Sequence, residues 1–580
     1  MTLDDKEFDT EKGFNGGGSV AERQSPGPAA AYDGQIDEGI AKDEDLHRGL
    51  KARQISMVRC LLPVPLSSRG PSLTLSSPRQ IAIGGSIGTG LVIGSGSALT
   101  RGGPVGLLLS YIIMGFCAFA TMMSLGEMAT YLPSKRGFAY YGSRFIDPAL
   151  GVAIGYCYLA KYLVVTPNNV VAGSLVVTYW TSAVPTAAWI TIFIVLIVVL
   201  NLLGIKLFGE IEFWASFLKI VTLAGLILLG LIIDLGGVPN VDRIGFRFWR
   251  EQPFSHYLFQ NDTGVFLGVW SCMTSALFAY MGIELVGVTF GEAKNPRKTV
   301  PATIRRTFIR ILVFYIGSVF VVGLILKATD PGLIAVTKKR TSAAASPFVL
   351  AIERAEIRVL PDIINGAILL FVLSAANSDL YIGTRTLYAL AAQGQAPRIF
   401  MRVNRFGTPY YATALCSAIC CIAYLAADSG SYLVFTYFTA TVTLLGALTW
   451  MGILGSHIAF MKALKAQGIS RDTLPWKAPL QPYAAYVAFV ITAIVTLFKG
   501  FDSFIPKFNY KTFITNYCAV PFWLALYFGW KFVHKTKIIP SAEVDLVSGR
   551  REFDEDEAMW EEKEALRGKQ PWWKRVWEGA

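Results

Sequence analysis

Seven residues near the start of the apolar part of the chain, Gly84-Gly85-Ser86-Ile87-Gly88-Thr89-Gly90, hold four glycines. Each glycine weakens a helix by about 1 kcal/mol relative to alanine. Unpaired backbone in hydrocarbon is costly unless it lines a cavity. The run therefore reads as an interruption whose freed amide groups, at the positive end of a half-helix, can hold a carboxylate at Ser86, Ile87, Gly88, Thr89 and Gly90. Close packing of two helices through small residues is the competing reading. A second interruption, Phe278-Ala279-Tyr280-Met281-Gly282-Ile283-Glu284, places a glycine and an acid in an otherwise apolar stretch. Carbonyls freed around Phe278, Ala279, Tyr280 and Gly282 could accept from an ammonium. Amides for a carboxylate facing carbonyls for an ammonium describe a site for an α-amino acid.

Ionisable residues inside apolar runs are the other chemistry-bearing group: Lys161, Lys219, Glu284 and Asp379, with Glu127 near a helix end. Each costs at least about 2.5–3.5 kcal/mol to insert, so each needs a reason. For Lys219 and Glu284 the reasons are a structural buried pair or proton exchange. For Glu127 a helix-end ion pair or snorkelling suffices. Asp379 sits awkwardly beside an anion site and is not assigned a substrate contact.

The elements that must position these residues are membrane helices. The chain has 580 residues, 53% hydrophobic and only 16% charged, and a mean hydropathy of +0.45. Ordinary soluble domains carry roughly 25% charge. This composition points to an all-α polytopic membrane protein and excludes a disordered chain, a coiled coil or a disulfide scaffold. Apolar runs predict about twelve spans, at 81–101, 106–131, 149–178, 186–204, 212–235, 265–290, 302–327, 360–392, 411–427, 432–461, 484–500 and 517–535. The glycine-rich interruption falls in the first span and the second interruption in the sixth, corresponding members of two five-helix halves. Paired interruptions of this kind point to a midplane transport site.

Basic residues orient the chain. Loops after even-numbered spans carry Lys135, Arg136 and Arg144; Lys294, Arg297 and Lys298; Arg398, Arg402 and Arg405; and Lys462, Lys465, Arg471 and Lys477. The short loops near 180–186 and 426–431 carry none, so both termini are expected in the cytosol. The long loop at 328–359, with Lys338, Lys339 and Arg340, is an exception that the rule tolerates. Asn261-Asp262-Thr263 is then an external glycosylation sequon. The net charge of +12 belongs to these loops and implies no nucleic-acid partner.

The organisation expected is a cytosolic tail at 1–56, the transmembrane domain at 81–535 and a second cytosolic tail at 536–580. The Trp- and Lys/Arg-bearing end of that second tail either touches the membrane interface or is a plain tail. Residues 58–80, rich in Pro and Ser, interrupt the approach to the first span. Val58-Arg59 can be encoded by a splice-donor sequence and Gln80 by a splice acceptor, so the segment reads as a retained intron translated in frame. A genuine surface loop is the alternative. Of the histidines, only His457 lies in an apolar run, which argues against a zinc or bis-histidine haem site, and no cofactor is expected.

Ile83-Gly84-Gly85-Ser86-Ile87-Gly88-Thr89-Gly90, Gly126-Glu127-Met128-Ala129-Thr130-Tyr131, Gly291-Glu292-Ala293-Lys294-Asn295-Pro296-Arg297-Lys298 and Ser374-Ala375-Ala376-Asn377-Ser378 resemble the motifs of the fungal amino-acid permeases of the amino acid–polyamine–organocation superfamily. The resemblance covers about residues 45–550 apart from the insert. It implies a leucine-transporter-like fold of two inverted five-helix repeats plus two helices, and proton symport at the plasma membrane. It also implies that Lys219 stands where sodium-coupled relatives bind an ion, and that tail lysines such as Lys6 and Lys12 are acceptors for ubiquitin-ligase machinery. Within the family the chain is most similar to dicarboxylic amino-acid permeases, through Lys161-Tyr162-Leu163-Val164-Val165-Thr166-Pro167-Asn168-Asn169, Ser342-Ala343-Ala344-Ala345-Ser346-Pro347-Phe348-Val349 and Asn377-Ser378-Asp379-Leu380-Tyr381. Neutral amino-acid members tend to carry an acid near the Asn169 position and no lysine at Lys161.

That change has a physical reading. The segment becomes more positive by about two charges in a low dielectric, which matters by several kcal/mol. Lys161 lies ~20 Å into its helix, near mid-depth. There it could attract the second carboxylate of glutamate or aspartate, while Asn168 and Asn169 hydrogen-bond it without repelling it; Ser378 is a further candidate substrate contact. An internal pair of Lys161 with Glu284 or Asp379 is the alternative. An acidic amino acid carries net −1, and an inside-negative potential opposes its entry by about 2.3 kcal/mol per 100 mV. At least two protons should therefore accompany each substrate, through Lys219 and Glu284. A broad-specificity or neutral symporter and a non-transporting amino-acid receptor are the other readings. There is no HExxH, no P-loop and no GxSxG on a turn to suggest an enzyme.

Overall fold

The computed structural model describes residues 89–134, 137–203, 205–238, 242–285, 296–334, 346–357, 359–404 and 407–548. The N-terminal tail, the segment 58–80, Ser86, Ile87, Gly88 and the end of the chain lie outside them. In chain order the α-helices are α1 (Thr89–Val92), α2 (Gly94–Tyr131), α3 (Ala139–Phe145), α4 (Pro148–Val177), α5 (Thr186–Leu202), α6 (Ile205–Asp234), α7 (Arg247–Glu251), α8 (Asp262–Tyr280), α9 (Pro296–Arg310), α10 (Gly317–Ile325), α11 (Pro347–Arg354), α12 (Leu360–Ala392), α13 (Tyr410–Cys420), α14 (Leu425–Ser429), α15 (Ser431–Ala466), α16 (Tyr483–Phe498), α17 (Tyr510–Tyr517) and α18 (Ala519–His534). Among the described residues, nine helical stretches are long and apolar enough to cross a bilayer, and α5 is a shorter apolar helix.

The expected spans differ from these helices in instructive places. α2 runs through two of them, but it is two helices joined at a kink: Gly103 has φ +72° and Pro104 follows it. Pro104 lacks an amide donor, and the next amide, Val105 N–H, bonds outward to the Pro253 carbonyl (3.0 Å). The seventh span is not uniform α-helix. Between α9 and α10, residues Ile311–Ile316 form a π-helical turn, which inserts a residue and shifts the register of the faces on either side. The sixth span was expected to reach residue 290, whereas α8 stops at Tyr280.

α4 is the central helix. α12, α15 and α18 pack along it, while α8 packs along the kinked α2. Its start is well defined: Pro148 occupies the first turn and the Asp147 carboxylate caps Ala149 N–H (2.9 Å), an arrangement that satisfies one of the orphan amides of a helix start. Asp147 also accepts from Lys531 Nζ (2.5 Å) and Thr536 Oγ1 (2.8 Å), tying α18 to the same corner. Lys161, Asn168 and Asn169 lie on α4 and are buried. The sequon residue Asn261 is exposed, and its side chain caps α8 through Gly264 N–H (3.2 Å).

After α18 the chain returns to the bundle. Ile539 N–H bonds to the Ile146 carbonyl (2.9 Å), and Val544 and Leu546 are buried in the main core. Arg144 bonds to the carbonyls of Asp545 and Ser548 (2.7 Å each), and Gln467 Nε2 to the Val544 carbonyl (2.6 Å).

Candidate functional site

The helix break at α8 is a turn over residues 281–284. Met281 is extended (φ −60°, ψ 139°) and Gly282 has φ +101°. Only glycine adopts that conformation without strain. The Phe278 and Tyr280 carbonyls accept from Met281 N–H (3.1 Å) and Ile283 N–H (3.4 Å), so each is engaged in one turn bond. The first interruption is described from Thr89 onward. There α1 faces the end of α8 closely: a Cβ added at Gly90 would lie 2.6 Å from Ala279 Cα and 3.0 Å from Phe278 Cδ1. The described end of the glycine run therefore packs closely against the break, at Gly90 on one side and Phe278-Ala279 on the other.

Lys161 reaches this break. Its Nζ donates to Glu284 Oε1, with both side chains buried. The other carboxylate oxygen, Oε2, accepts from Gly282 N–H (3.1 Å) and from Trp450 Nε1 on α15 (3.1 Å). The Lys161 ammonium also lies over the Tyr162 and Tyr158 rings, 4.8 and 5.5 Å from their centroids. Of the readings for Lys161, the internal pair with Glu284 is the arrangement seen.

Asn169 bridges the first interruption to α12. Its Oδ1 accepts from Thr89 Oγ1 (3.1 Å) and its Nδ2 donates to Asp379 Oδ2 (2.6 Å). Asn168 donates to Thr439 Oγ1 (3.2 Å). Asn168 Oδ1 and Ser378 Oγ are buried and make no hydrogen bond among the described residues, so both keep unused bonding capacity.

Lys219 and Glu284 are not paired with each other. Lys219 Nζ donates to Ser374 Oγ (2.9 Å) and lies 3.7 Å from Glu212, and Ser374 in turn donates to Glu212 Oε2 (2.8 Å). Sequence reasoning missed Glu212. The available signal was an acid seven residues before Lys219, a spacing that puts both on one helical face. Glu127 forms a helix-end ion cluster and does not snorkel. It is fully buried, 3.0 Å from His457 Nε2 and 2.8 Å from Arg471 Nε. Arg471 also holds the carbonyls of Ala478 and Gln481 (2.6 Å each). Among the described residues no group of three or more His, Cys, Asp or Glu could hold a metal ion.

Comparison with known proteins adds the following. Residues 80–540 match the amino acid permease family. The chain is 45% identical over 540 residues to the dicarboxylic amino acid permease of Saccharomyces cerevisiae, covering 92% of this chain and 85% of that protein. It is 37% identical over 592 residues to the lysine-specific permease of the same yeast, covering 99% and 91% of the two chains. It is 37% identical over 557 residues to the proline-specific permease of Emericella nidulans, covering 95% and 96%.

Proposed function

The chain belongs to the amino acid permease family, whose members are transporters and not enzymes, and on that premise we propose that it imports glutamate and aspartate with protons by alternating access. The observation that carries the acidic specificity is the Lys161 ammonium at the helix break, sharing a carboxylate with Gly282 N–H. A cation held there is suited to a substrate with a second carboxylate. Asn168, Asn169 and Ser378 add neutral polar groups on the neighbouring faces of α4 and α12. The α-carboxylate and α-ammonium would be held by Ser86, Ile87, Gly88, Thr89 and Gly90 and by the backbone of Phe278, Ala279, Tyr280 and Gly282.

Proton coupling draws support from a charge count. Around the break, and where Lys219 and Glu212 of α6 meet α12, the buried ionisable groups include Lys161, Lys219, Glu212, Glu284 and Asp379. With Lys219 entering the cycle as the neutral amine and the others charged, three carboxylates face one ammonium group, leaving two excess negative charges. An acidic amino acid adds a third. Two protons, one on the Lys219 amine and one on the Glu284 carboxylate, more than offset the charge that the substrate brings.

The architecture belonging to this reading is twelve spans in two inverted five-helix repeats plus two helices, in the plasma membrane with both termini cytosolic. The transmembrane domain runs from 81 to 535, between tails at 1–56 and 536–580, and tail lysines including Lys6 and Lys12 serve as ubiquitin acceptors. The segment 58–80 is a translated intron, an assignment compatible with a family match that begins at residue 80. A broad-specificity or neutral symporter is favoured by one observation: Glu284 already neutralises Lys161.

Radiolabelled glutamate uptake by cells expressing the chain with and without residues 58–80, challenged by acidic, neutral and basic amino acids, tests substrate and insert together. Acidic competitors alone should block uptake. Equal inhibition by neutral amino acids would establish the broad-specificity reading instead.

A further inference from the structure

Three donors converge on one carboxylate at the break: Lys161 Nζ from α4, Trp450 Nε1 from α15 and Gly282 N–H from the break itself. The last exists as a donor because the helix stops. In a continuous helix that amide would be bonded to the carbonyl four residues earlier. The occupant is Glu284, two residues further on, folded back onto its own turn. A charged donor flanked by two N–H groups in a buried setting is the chemistry of a strong carboxylate site. Nothing in it is particular to a glutamate belonging to the protein.

We propose that Lys161 Nζ, Trp450 Nε1 and Gly282 N–H form a cradle for the side-chain carboxylate of an acidic amino acid, with Glu284 as its resident occupant until substrate displaces it. This rests on the reading that the substrate is acidic. The exchange is balanced in charge. The incoming carboxylate takes the three donors. Glu284 gives them up and takes a proton from the external water onto its carboxylate, so one negative charge remains opposite Lys161. After the substrate leaves to the cytosol, Glu284 releases that proton there and returns to the cradle.

The surroundings suit the exchange. The other titratable groups facing the pair are Cys157, Tyr158 and Tyr162 on α4 and Asp379 on α12. Asp379 is held away by Asn169 Nδ2, so it does not compete for the cradle. A neutral side chain cannot replace a carboxylate on Lys161. It therefore leaves Glu284 in place and evokes no proton uptake at that group. The cradle thus ties substrate identity to one of the transported protons.

The test uses the full chain in cells, with surface amount measured for every variant. Glu284→Gln should raise apparent glutamate affinity, by on the order of tenfold, and flatten the dependence of uptake on external pH. Lys161→Met should weaken apparent glutamate affinity on the order of a hundredfold or more. Because that variant leaves Glu284 buried and unpaired, Lys161→Met/Glu284→Gln is measured beside it; it removes both charges together and should prefer glutamine to glutamate. Trp450→Phe should weaken apparent glutamate affinity severalfold. A Lys161→Met/Glu284→Gln variant that still prefers glutamate, or a Glu284→Gln variant with unaltered pH dependence, overturns the cradle. Failure of the unmodified chain to take up any acidic amino acid would instead overturn the substrate reading on which it rests.

Discussion

Replacing Gly90 by alanine should impair transport, whereas the same change four residues on should not. At Gly90 the new Cβ would lie 2.6 Å from Ala279 Cα, 3.0 Å from Ala279 N and 3.0 Å from Phe278 Cδ1. Two of these are backbone atoms at the end of α8, which cannot rotate away. Restoring ordinary contact, at 3.4 Å or more, requires α1 and α8 to part by roughly an ångström. Overpacking of this kind costs about 1–3 kcal/mol. If the substrate-loaded state bears that strain, it corresponds to a loss of about 5- to 150-fold in affinity. At Gly94 nothing lies within 4 Å of the added methyl, and alanine there should stabilise the helix by about 0.5–1 kcal/mol. The assay is initial-rate uptake for Gly90→Ala and Gly94→Ala at matched surface amounts. A Gly90→Ala variant with the unmodified chain's apparent affinity and rate would refute the argument that the close approach of α1 to the end of α8 builds the site.

Removing Glu127 by Glu127→Ala leaves Arg471 and His457 without their shared carboxylate, and the thermal unfolding of the purified protein should show a loss of about 1–3 kcal/mol. Arg144→Ala should free the segment around Asp545, read as faster proteolytic cleavage after residue 540. Burial acts to raise the Asp545 pKa, but hydrogen bonds from Ser548 and Val547, with Arg144 nearby, outweigh it and hold the carboxyl below its ordinary value. That contribution is present in full above the ordinary aspartate range and is lost as pH falls below about 4. Acid should therefore reproduce the cleavage, and Asp545→Asn should blunt the effect of acid. Glutamate should evoke inward current, because two protons outweigh one negative substrate; an electroneutral recording would dismiss that stoichiometry.

Much of the helical framework was legible because its signals are local. Apolar runs place the spans, and Gly103-Pro104 divides the first long run. Gly282 beside Glu284 marks the second interruption, although the helix stops earlier than the apolar run suggests because Gly282 adopts positive φ. Pairing was less legible, since it joins residues far apart in the chain. Lys161 and Glu284 are separated by 123 positions, and several buried acids were open to either lysine. The sequence allowed a Lys219–Glu284 pair, yet Glu212 lies on the same helix as Lys219 and takes that place. The π-helical turn at Ile311–Ile316 was hidden because those six residues are all apolar or aromatic, and such a run looks the same in either kind of helix.

Residues beyond the last hydrophobic helix have a bearing on how this protein can be cut and rejoined. Val544 and Leu546 sit in the same core as the bundle, while Arg144 and Gln467 grip the backbone beside them. A chimaera that exchanges the C-terminal extension at residue 536 would tear out that plug and uncover two greasy sockets. A junction placed after Ser548 keeps it whole, and a fluorescent reporter fused there would start from a fixed anchor point on the bundle.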